Sequence, residues 1–327
     1  MKQQIRTFFA TLLPLVSALY GYGQHVIYPS FDTEGPKWEE KNSGNVTDIK
    51  YSGNKYVENV TIYGVVDLGV TVTEGGRTYH LDVLTHNIGA EHNYDSGDYY
   101  AWGELEPYYK EGDANAEFPE WREGKEVGYD WDSYRFFKWL SVGENRYIYT
   151  IKYCTLDLID WAEVPERDGK SVLDPEDDIA TQTFGDKFAI PTQAEWRAIY
   201  DQCYWAWTDN YDNTGKGGFI IYKSKHPDDK HRSKKSPSNV TYNIKTDIHV
   251  FLPCACNRFN LDICGNPYIL EEDVRYDVYY WSSTLGGTHA CDAVIVFMRS
   301  GPGDGNVIFR DFVRSTGTPI RAIRRRY

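Results

Sequence analysis

The spacing of apolar and polar residues predicts a chain that consists mainly of short strands. Residues 62–72 and 78–83 are rich in β-branched residues, and Glu74-Gly75-Gly76 lies between them as a turn. Further apolar runs follow in the second half of the chain, with glycine-rich turns between the later ones. They lie at 250–253, 279–284, 293–297, 307–313 and 320–323. This arrangement predicts a C-terminal meander of strands.

One helix is predicted to begin at Thr192. Thr192 and Glu195 have the spacing of a capping box, in which each side chain accepts a hydrogen bond from the backbone N–H of the other residue. The apolar residues that follow recur at helical spacing and form one stripe. They are Trp196, Ile199, Tyr200 and Cys203. The stripe indicates that this helix packs against a core.

A second helix is predicted just before the first, from Asp174 to Gly185. Pro175 suits the first helical position, and the carboxylates at 176–178 favour the positive end of the helix dipole. Gly185 is typical of a helix C-terminus. The same acidic residues raise the alternative of a calcium site. Consecutive carboxylates on a helix point in different directions, whereas a calcium loop spaces its ligands around a glycine, so a helix start is favoured.

The first segment has the layout of a secretory signal peptide. Lys2 and Arg6 precede an apolar run at 7–20, and small residues follow it. The run is short for a membrane span and contains Pro14. We therefore expect an exported protein, periplasmic, at the cell surface or extracellular, without a transmembrane span in the mature chain. The expected organisation is a signal peptide at 1–23, a polar extension at 24–62 and one domain at 63–327.

Charge and composition exclude several classes of protein. Removing Lys2 and Arg6 leaves 33 basic and 48 acidic residues, so the net charge changes from −13 to −15. This balance argues against nucleic-acid binding, because phosphate contacts require a surplus of cations. Aromatic residues make up 16% of the chain, which argues against a disordered protein. A mean hydropathy of −0.58 argues against a polytopic membrane protein.

Two basic stretches are interpreted as solvated segments. Residues 223–238 are rich in charge and poor in aromatic residues, which is typical of an exposed loop. Arg324-Arg325-Arg326 follows the last predicted strand. Because three charges carry little weight against a net charge of −15, we expect this triplet to be a solvated strand terminus rather than a polyanion site.

The cysteines permit disulfides but do not indicate a metal site. Six follow the signal peptide, an even number that allows three bridges in an oxidising compartment. They are Cys154, Cys203, Cys254, Cys256, Cys264 and Cys291. Cys154 and Cys203 have the alternative of buried thiols. The Cys254-x-Cys256 spacing lacks the second ligand pair of a zinc site, so neither a metal nor a cofactor is predicted.

An ordered set of short motifs covers residues 63–327. The motifs lie at 97–104, 129–131, 152–155, 174–180, 188–196, 205–208, 251–253, 280–284 and 320–324. In this order they resemble the Fibrobacter succinogenes major paralogous (FISUMP) domain, which is common in secreted proteins of Bacteroidota. The run from Ile190 to Trp196 is also similar to one in the formylglycine-generating, sulfatase-modifying proteins.

The resemblance implies a C-type lectin-like fold and no defined reaction. The implied architecture is an α+β domain in which two helices flank a twisted, mostly antiparallel sheet. The sequence departs from the pattern of calcium-dependent lectins at Trp281-Ser282-Ser283, where those proteins carry a Trp-Asn-Asp motif. It also has Cys254-Ala255-Cys256 where the family has Ala-Ala-Gly. The resemblance therefore does not imply calcium-dependent sugar binding.

We expect a non-catalytic binding or adhesion module that recognises a glycan, a host protein or an envelope partner. The sequence has no Gly-x-Ser-x-Gly, His-Glu-x-x-His or phosphate-loop motif. Exposed aromatic rings can stack on sugars or anchor an interface, whereas Trp196 and Trp281 are expected in the core. The candidate ligand-binding residues are Trp205, Trp207, Tyr279 and Tyr280.

Two alternatives stay open. The chain could be a structural fimbrial or envelope subunit, in which the segment 24–62 serves as a tether or adds as a strand to an exposed sheet edge. It could also be a formylglycine-generating-type oxidase. That activity would need a reactive cysteine pair that binds copper, and Cys254 with Cys256 is the close pair in the sequence.

Overall fold

The computed structural model describes a large part of the chain. The described residues are 38–43, 46–51, 63–107, 134–155, 158–159, 162–163, 168–230, 240–254, 258–259, 262–263, 277–289, 291–299 and 306–327. The predicted signal peptide, Cys256 and Cys264 lie outside them. The chain divides into two units, Met1–Val65 and Val66–Tyr327. The division into leader, extension and domain stays a prediction.

In the first unit, the predicted polar extension contains an antiparallel hairpin. Its strands are β1 (Trp38–Ser43) and β2 (Val46–Tyr51).

From Tyr63 onward the described chain is mostly strand. The strands are β3 (Tyr63–Glu74), β4 (Arg77–Leu84), β5 (Tyr99–Tyr100), β6 (Phe137–Val142), β7 (Asn145–Thr150), β8 (Leu158–Ile159), β9 (Ala162–Glu163), β10 (Phe188–Ala189), β11 (Cys203–Thr208), β12 (Gly218–Lys223), β13 (His249–Pro253), β14 (Arg258–Phe259), β15 (Asp262–Ile263), β16 (Asp277–Leu285), β17 (Asp292–Arg299), β18 (Asn306–Val313), β19 (Thr318–Pro319) and β20 (Ile323–Arg326). The α-helices are α1 (Ile179–Phe184) and α2 (Gln193–Gln202). Short 3-10 helices lie at Pro175–Asp177, Tyr211–Asn213 and Pro227–Asp229.

The strands form several small sheets. In the second unit, β4, β20 and β10 lie side by side in that order and are antiparallel. Two three-stranded antiparallel sheets follow, β11-β12-β13 and β16-β17-β18. The described chain is thus mostly antiparallel sheet with two α-helices, which agrees with the α+β prediction at that level.

Local signals in the sequence correctly predict one turn and one helix start. Gly75 and Gly76 have positive φ angles of 55° and 77° and form the predicted turn between β3 and β4. Thr192 and Glu195 form the predicted capping box, since the backbone N–H of Glu195 donates to Thr192 Oγ1 (3.2 Å) and that of Thr192 donates to Glu195 Oε2 (2.8 Å). Both features depend on neighbouring residues alone.

The helix predicted from Asp174 to Gly185 is divided in two. A 3-10 turn at Pro175–Asp177 is followed by α1, and Asp178 rather than Asp174 caps the α-helix. The buried carboxylate of Asp178 accepts hydrogen bonds from Ala180 N, Thr181 N and also Ile190 N. The hydrogen bond from Ile190 N connects the start of α1 to the residue that follows β10. The predicted end at Gly185 is confirmed.

Buried tryptophans connect separate elements through their indole N–H groups. Trp102 donates to Ser282 O (2.8 Å), and Trp281 donates to Tyr100 O (3.0 Å). Trp196 in α2 donates to Trp281 O (3.2 Å). The expectation that Trp196 and Trp281 lie in the core is confirmed, because both are at most 1% exposed.

The last strand differs from its prediction at both ends. Residues 320–322 are not in a strand. Their carbonyls accept hydrogen bonds from the end of β4 and from the segment that follows it: Leu84 N–H donates to Ala322 O and Ile88 N–H donates to Ile320 O, each at 3.0 Å. The strand β20 instead begins at Ile323 and lies between β4 and β10.

The expectation of a solvated terminus at 324–326 is wrong for Arg324 and Arg325, whereas Arg326 is exposed at the end of the strand. Arg324 is 6% exposed and binds Asp82 (2.8 Å), while Arg325 makes a two-point contact with the carboxylate of the buried Glu195 (2.7 and 3.0 Å). Arg326 reaches Asp82 and Asp67. These carboxylates are distant in sequence, and β20 brings the arginines to them because it lies inside the sheet.

Arg321 is a fully buried cation, and its hydrogen bonds to the described residues go to uncharged oxygen atoms. Its Nε donates to Asn87 Oδ1 (2.8 Å), and its Nη1 donates to Leu84 O (2.8 Å) and Thr85 O (2.7 Å). Nη2 donates to Phe251 O (2.8 Å) in β13. One side chain thus joins the end of β4, the middle of β13 and the start of the final segment.

We expect Arg321→Met to lower the free energy of unfolding by at least about 3 kcal/mol, because it leaves several buried oxygen acceptors without a donor. Chemical denaturation measures this loss. Arg197→Met is the matched control, since Arg197 is exposed and its change should cost less than about 0.5 kcal/mol. Equal stability of the two variants would contradict the role assigned to Arg321.

Candidate binding surface

The register of the C-terminal sheet brings a set of apolar side chains and one arginine to the same face. Tyr279 in β16 lies opposite Phe297 in β17, which lies opposite Ile308 in β18. Directly opposed residues share a face of a sheet, and every second residue along a strand returns to it. Arg310 and Phe312 therefore join this face. We call these five residues the aromatic–arginine patch.

The rings of the patch lie close together, and the arginine lies over them. The ring centres of Tyr279 and Phe297 are 4.9 Å apart, and those of Tyr279 and Phe312 are 6.1 Å apart. Cζ of Arg310 lies 4.3 Å from the ring centre of Phe297 and 5.3 Å from that of Phe312. These distances are within the range of cation–π attraction.

The patch is partly open to solvent: Phe297 is buried, at 6% exposure, and the other four residues reach the surface. Ile308 is 44% exposed, Arg310 is exposed, and Tyr279 and Phe312 are half-buried. Further along the same face, Trp281, Ala293 and Ile295 are fully buried. The opposite face is also closed, since Tyr280 packs towards Trp196 of α2 with ring centres 6.0 Å apart.

The guanidinium of Arg310 makes no hydrogen bond or ion pair with another described residue; its contacts there are the two rings. The neighbouring acid, Asp311, belongs to the opposite face. Its carboxylate accepts hydrogen bonds from the backbone N–H groups of Gly287 (3.1 Å) and Thr288 (2.8 Å). Arg310 is therefore the one charge of the patch.

The structure separates the four aromatic residues predicted to bind a ligand. Trp205 and Tyr280 are fully buried, so the prediction is corrected at these two positions because neither ring can meet a ligand at the surface. Trp207 is half-buried on β11, in a different sheet, and its indole N–H donates to Asp209 (2.6 Å). Tyr279 alone of the four belongs to the patch.

Sequence reasoning missed Phe297, Ile308, Arg310 and Phe312. Each lies in a strand that was predicted, at 293–297 or 307–313, so the missing information is the pairing of the strands. The register between β16 and β17 shifts between Trp281 and Leu285. A pattern of alternation could have grouped Ile308, Arg310 and Phe312, but it could not have placed them beside Tyr279.

A second aromatic group, on the sheet β11-β12-β13, is filled by the chain itself. The ring of Tyr242 lies 4.6 Å from that of Tyr204 and 4.8 Å from that of Tyr222. Nζ of Lys225 lies 5.0 Å from the ring centre of Tyr242 and pairs with Asp247 (2.6 Å). Both the rings and the cation have internal partners, so this group serves packing.

Two of the described cysteines, Cys203 and Cys291, do not have the properties of reactive thiols. Cys203 and Cys291 are free thiols, so the structure does not place these two in predicted disulfides. Burial raises the pKa of Cys203, and burial together with Asp292 raises the pKa of Cys291 to about 12. A nucleophilic or metal-binding thiol needs a lowered pKa. Cys154 is buried and Cys254 is half-buried.

The acidic residues at 174–177 form ion pairs with cationic side chains of the protein itself. Oxygen atoms of Asp174, Glu176 and Asp177 lie within 4.8 Å of one another. Nζ of Lys152 lies 2.8, 3.1 and 2.5 Å from them, and Arg135 binds Asp177 at 2.5 Å. Burial alone would lower the pKa of Lys152, but hydrogen bonds to these carboxylates raise it above its usual range. The ammonium group thus lies where a metal ion would bind.

No helix in the described ranges combines the length and the apolar character that crossing a membrane requires. Comparisons with protein-family profiles, with curated proteins and with solved structures find no match to this chain. The function of the patch therefore has to be inferred from its own chemistry.

We expect the melting temperature of residues 24–327 to be the same in calcium chloride and in EDTA, because an ion at 174–177 would have to displace Lys152 and Arg135. Differential scanning calorimetry measures this. Lys152→Met is the companion variant: it should lower the melting temperature, since it removes a cation from the buried Asp177. A rise of the wild-type melting temperature that saturates with calcium would contradict the assignment.

Proposed function

We propose that this chain is an exported, non-catalytic binding module with a C-type lectin-like architecture of the FISUMP type, and that the aromatic–arginine patch binds a glycan or a protein ligand. The observation that carries the proposal is the group of half-exposed and exposed apolar side chains around Arg310, namely Tyr279, Ile308 and Phe312. Apolar groups exposed together, rather than singly, are typical of interaction sites on soluble proteins. Tyrosine and arginine are also enriched among the residues that dominate binding energy.

The arrangement of the motifs supports this interpretation. Motif residues such as Trp102, Trp196 and Trp281 are buried and hold the elements together. All five residues of the patch lie outside the motifs that carry the resemblance. A scaffold held together by the motif residues, with a binding face made by other residues, suits a module whose family shares a fold rather than a reaction.

We expect Phe312→Ala to weaken binding of a ligand found on a glycan or protein array by about tenfold, because it removes one of the half-exposed rings. Titration calorimetry with the purified ligand measures the change. Trp207→Ala is the matched control, a half-buried aromatic residue in another sheet, and should leave the affinity within about twofold. Thermal melts establish that both variants are folded.

Two results would contradict the patch as the binding site. One is a ligand whose affinity falls with Trp207→Ala and not with Phe312→Ala. The other is the absence of any ligand on both arrays.

The structural-subunit alternative has one observation in its favour. Among the strands that the structure describes, β18 pairs with β17 alone and so forms an edge of its sheet. Ile308 in this strand is exposed. An open edge of eight residues can accept a further strand, including one from the segment 24–62 of another copy.

We expect residues 24–327 to sediment as a monomer, as a binding module does. Sedimentation velocity at several concentrations measures the assembly state. Ile308→Lys places a charge on the edge strand and should leave the monomer unchanged. Assembly that is lost both in Ile308→Lys and on deletion of residues 24–62 would favour the subunit role; assembly that survives the deletion would count against the donor segment.

A further inference from the structure

We propose that the ligand of the aromatic–arginine patch carries a carboxylate, and that it belongs to the class of acidic sugars. The inference rests on the proposed binding function and specifies the chemistry of the ligand. It depends on the N–H donors of Arg310, which have no acceptor among the described residues, and on the apolar residues around this side chain.

Arg310 lies over aromatic rings, and its N–H donors have no oxygen acceptor among the described residues. The guanidinium is planar, and its N–H donors lie in that plane. Its Cζ lies 4.3 Å from the ring centre of Phe297 and 5.3 Å from that of Phe312. The donors make no hydrogen bond with the described residues. The protein thus holds a charged, two-pronged donor at the surface without supplying an acceptor.

The geometry of the donor favours a carboxylate over a phosphate or a sulfate. Two parallel N–H groups of one guanidinium match the two oxygens of a carboxylate. Sites for phosphate groups generally add backbone N–H groups or further cations, because the ligand carries more charge. Arg310 is the single cation among the five residues of the patch. Arg299 follows Phe297 on the same face but lies opposite Asp277, so this pair adds no net charge. One negative charge is therefore the best match.

Electrostatics make this contact selective. The chain has a net charge of −13, so its surface as a whole repels anions. At the patch the neighbouring acid Asp311 is turned to the other face and is held there by Gly287 and Thr288. An anion is therefore attracted to Arg310 locally while it is disfavoured elsewhere on the protein.

The remaining residues favour a sugar over an acidic peptide as the carrier of the carboxylate. Tyr279, Phe312 and the exposed Ile308 make an apolar platform on the flat face of a sheet. Such a platform suits the apolar face of a sugar ring. An extended peptide would instead bring backbone groups that need hydrogen-bond partners, and the face of a sheet offers none because its backbone groups are used between the strands.

The test is a titration of residues 24–327 with uronic-acid and sialic-acid oligosaccharides, each compared with its methyl ester, and with an oligoglutamate peptide. The methyl ester keeps the sugar and removes the charge. We expect at least one acidic sugar to bind at least tenfold more tightly than its ester. We also expect Arg310→Gln to reduce the affinity for the acidic sugar to that measured for the ester. Arg310→Lys should give an intermediate affinity, because lysine keeps the positive charge but lacks the two parallel N–H donors.

Arg197→Gln is the matched control. Arg197 is also exposed and also lies over a phenylalanine ring, that of Phe309 at 4.6 Å, but on the other side of the sheet. This variant should bind the acidic sugar as the wild type does. Because Arg310 and Arg197 are both at the surface, thermal melts of the variants should match that of the wild type.

The possible failures are distinguishable. If acidic sugars and their esters bind equally, or if Arg310→Gln has no effect while Phe312→Ala does, the carboxylate inference is wrong and the binding module stands. If oligoglutamate binds and the acidic sugars do not, the ligand is an acidic peptide and the sugar class is wrong. If no compound on the arrays or in the titrations binds, both the inference and the proposed function are overturned.

Discussion

The buried guanidinium of Arg321 constrains the positions of several other elements. A charge in the core is tolerated only where its donors are satisfied, and Arg321 is surrounded by oxygen atoms from 84–87 and from β13. Asn87, which it binds, donates in turn to the hydroxyl of Tyr280 (3.0 Å). This contact fixes Tyr280 on the inner face of β16. The alternation of the strand then directs Tyr279 outward, so the aromatic–arginine patch owes its orientation to a contact on the far side of the sheet.

Much of the secondary structure could be predicted from the sequence because its signals are local. The turn at Gly75-Gly76 needs only two residues that accept positive φ, and the helix start at Thr192 needs a partner three residues away. The environment of the final arginines could not be predicted in this way. Arg325 meets Glu195, 130 residues earlier, and Arg324 meets Asp82, 242 residues earlier. A run of three arginines has the same local pattern whether it is solvated or paired.

The aromatic–arginine patch could be predicted in part: its strands have local signals, but the face on which each side chain lies depends on long-range pairing. Tyr279 and Tyr280 are adjacent, β-forming and aromatic, yet one is half-exposed and the other fully buried. The phase of the alternation decides between them, and that phase follows from the pairing with β17 and from Asn87. Trp205 and Trp207 show the same limit in β11, where both residues share a face and the depth of burial still differs. Aromatic content identifies strands that pack, but it does not identify which rings stay accessible.

The protein places cations over aromatic rings in several settings, and the surroundings of each cation determine its role. Arg314 lies 5.2 Å from the ring centre of Trp102 and donates to the carbonyl of Tyr153 (2.8 Å) inside the core. Lys225 lies over Tyr242 and pairs with Asp247. In these two cases internal oxygen atoms accept hydrogen bonds from the cation, and the contact stabilises the fold. At Arg310 the rings are present and an internal acceptor is not among the described residues, so a ligand that supplies one gains a charged hydrogen bond that the protein otherwise leaves to water.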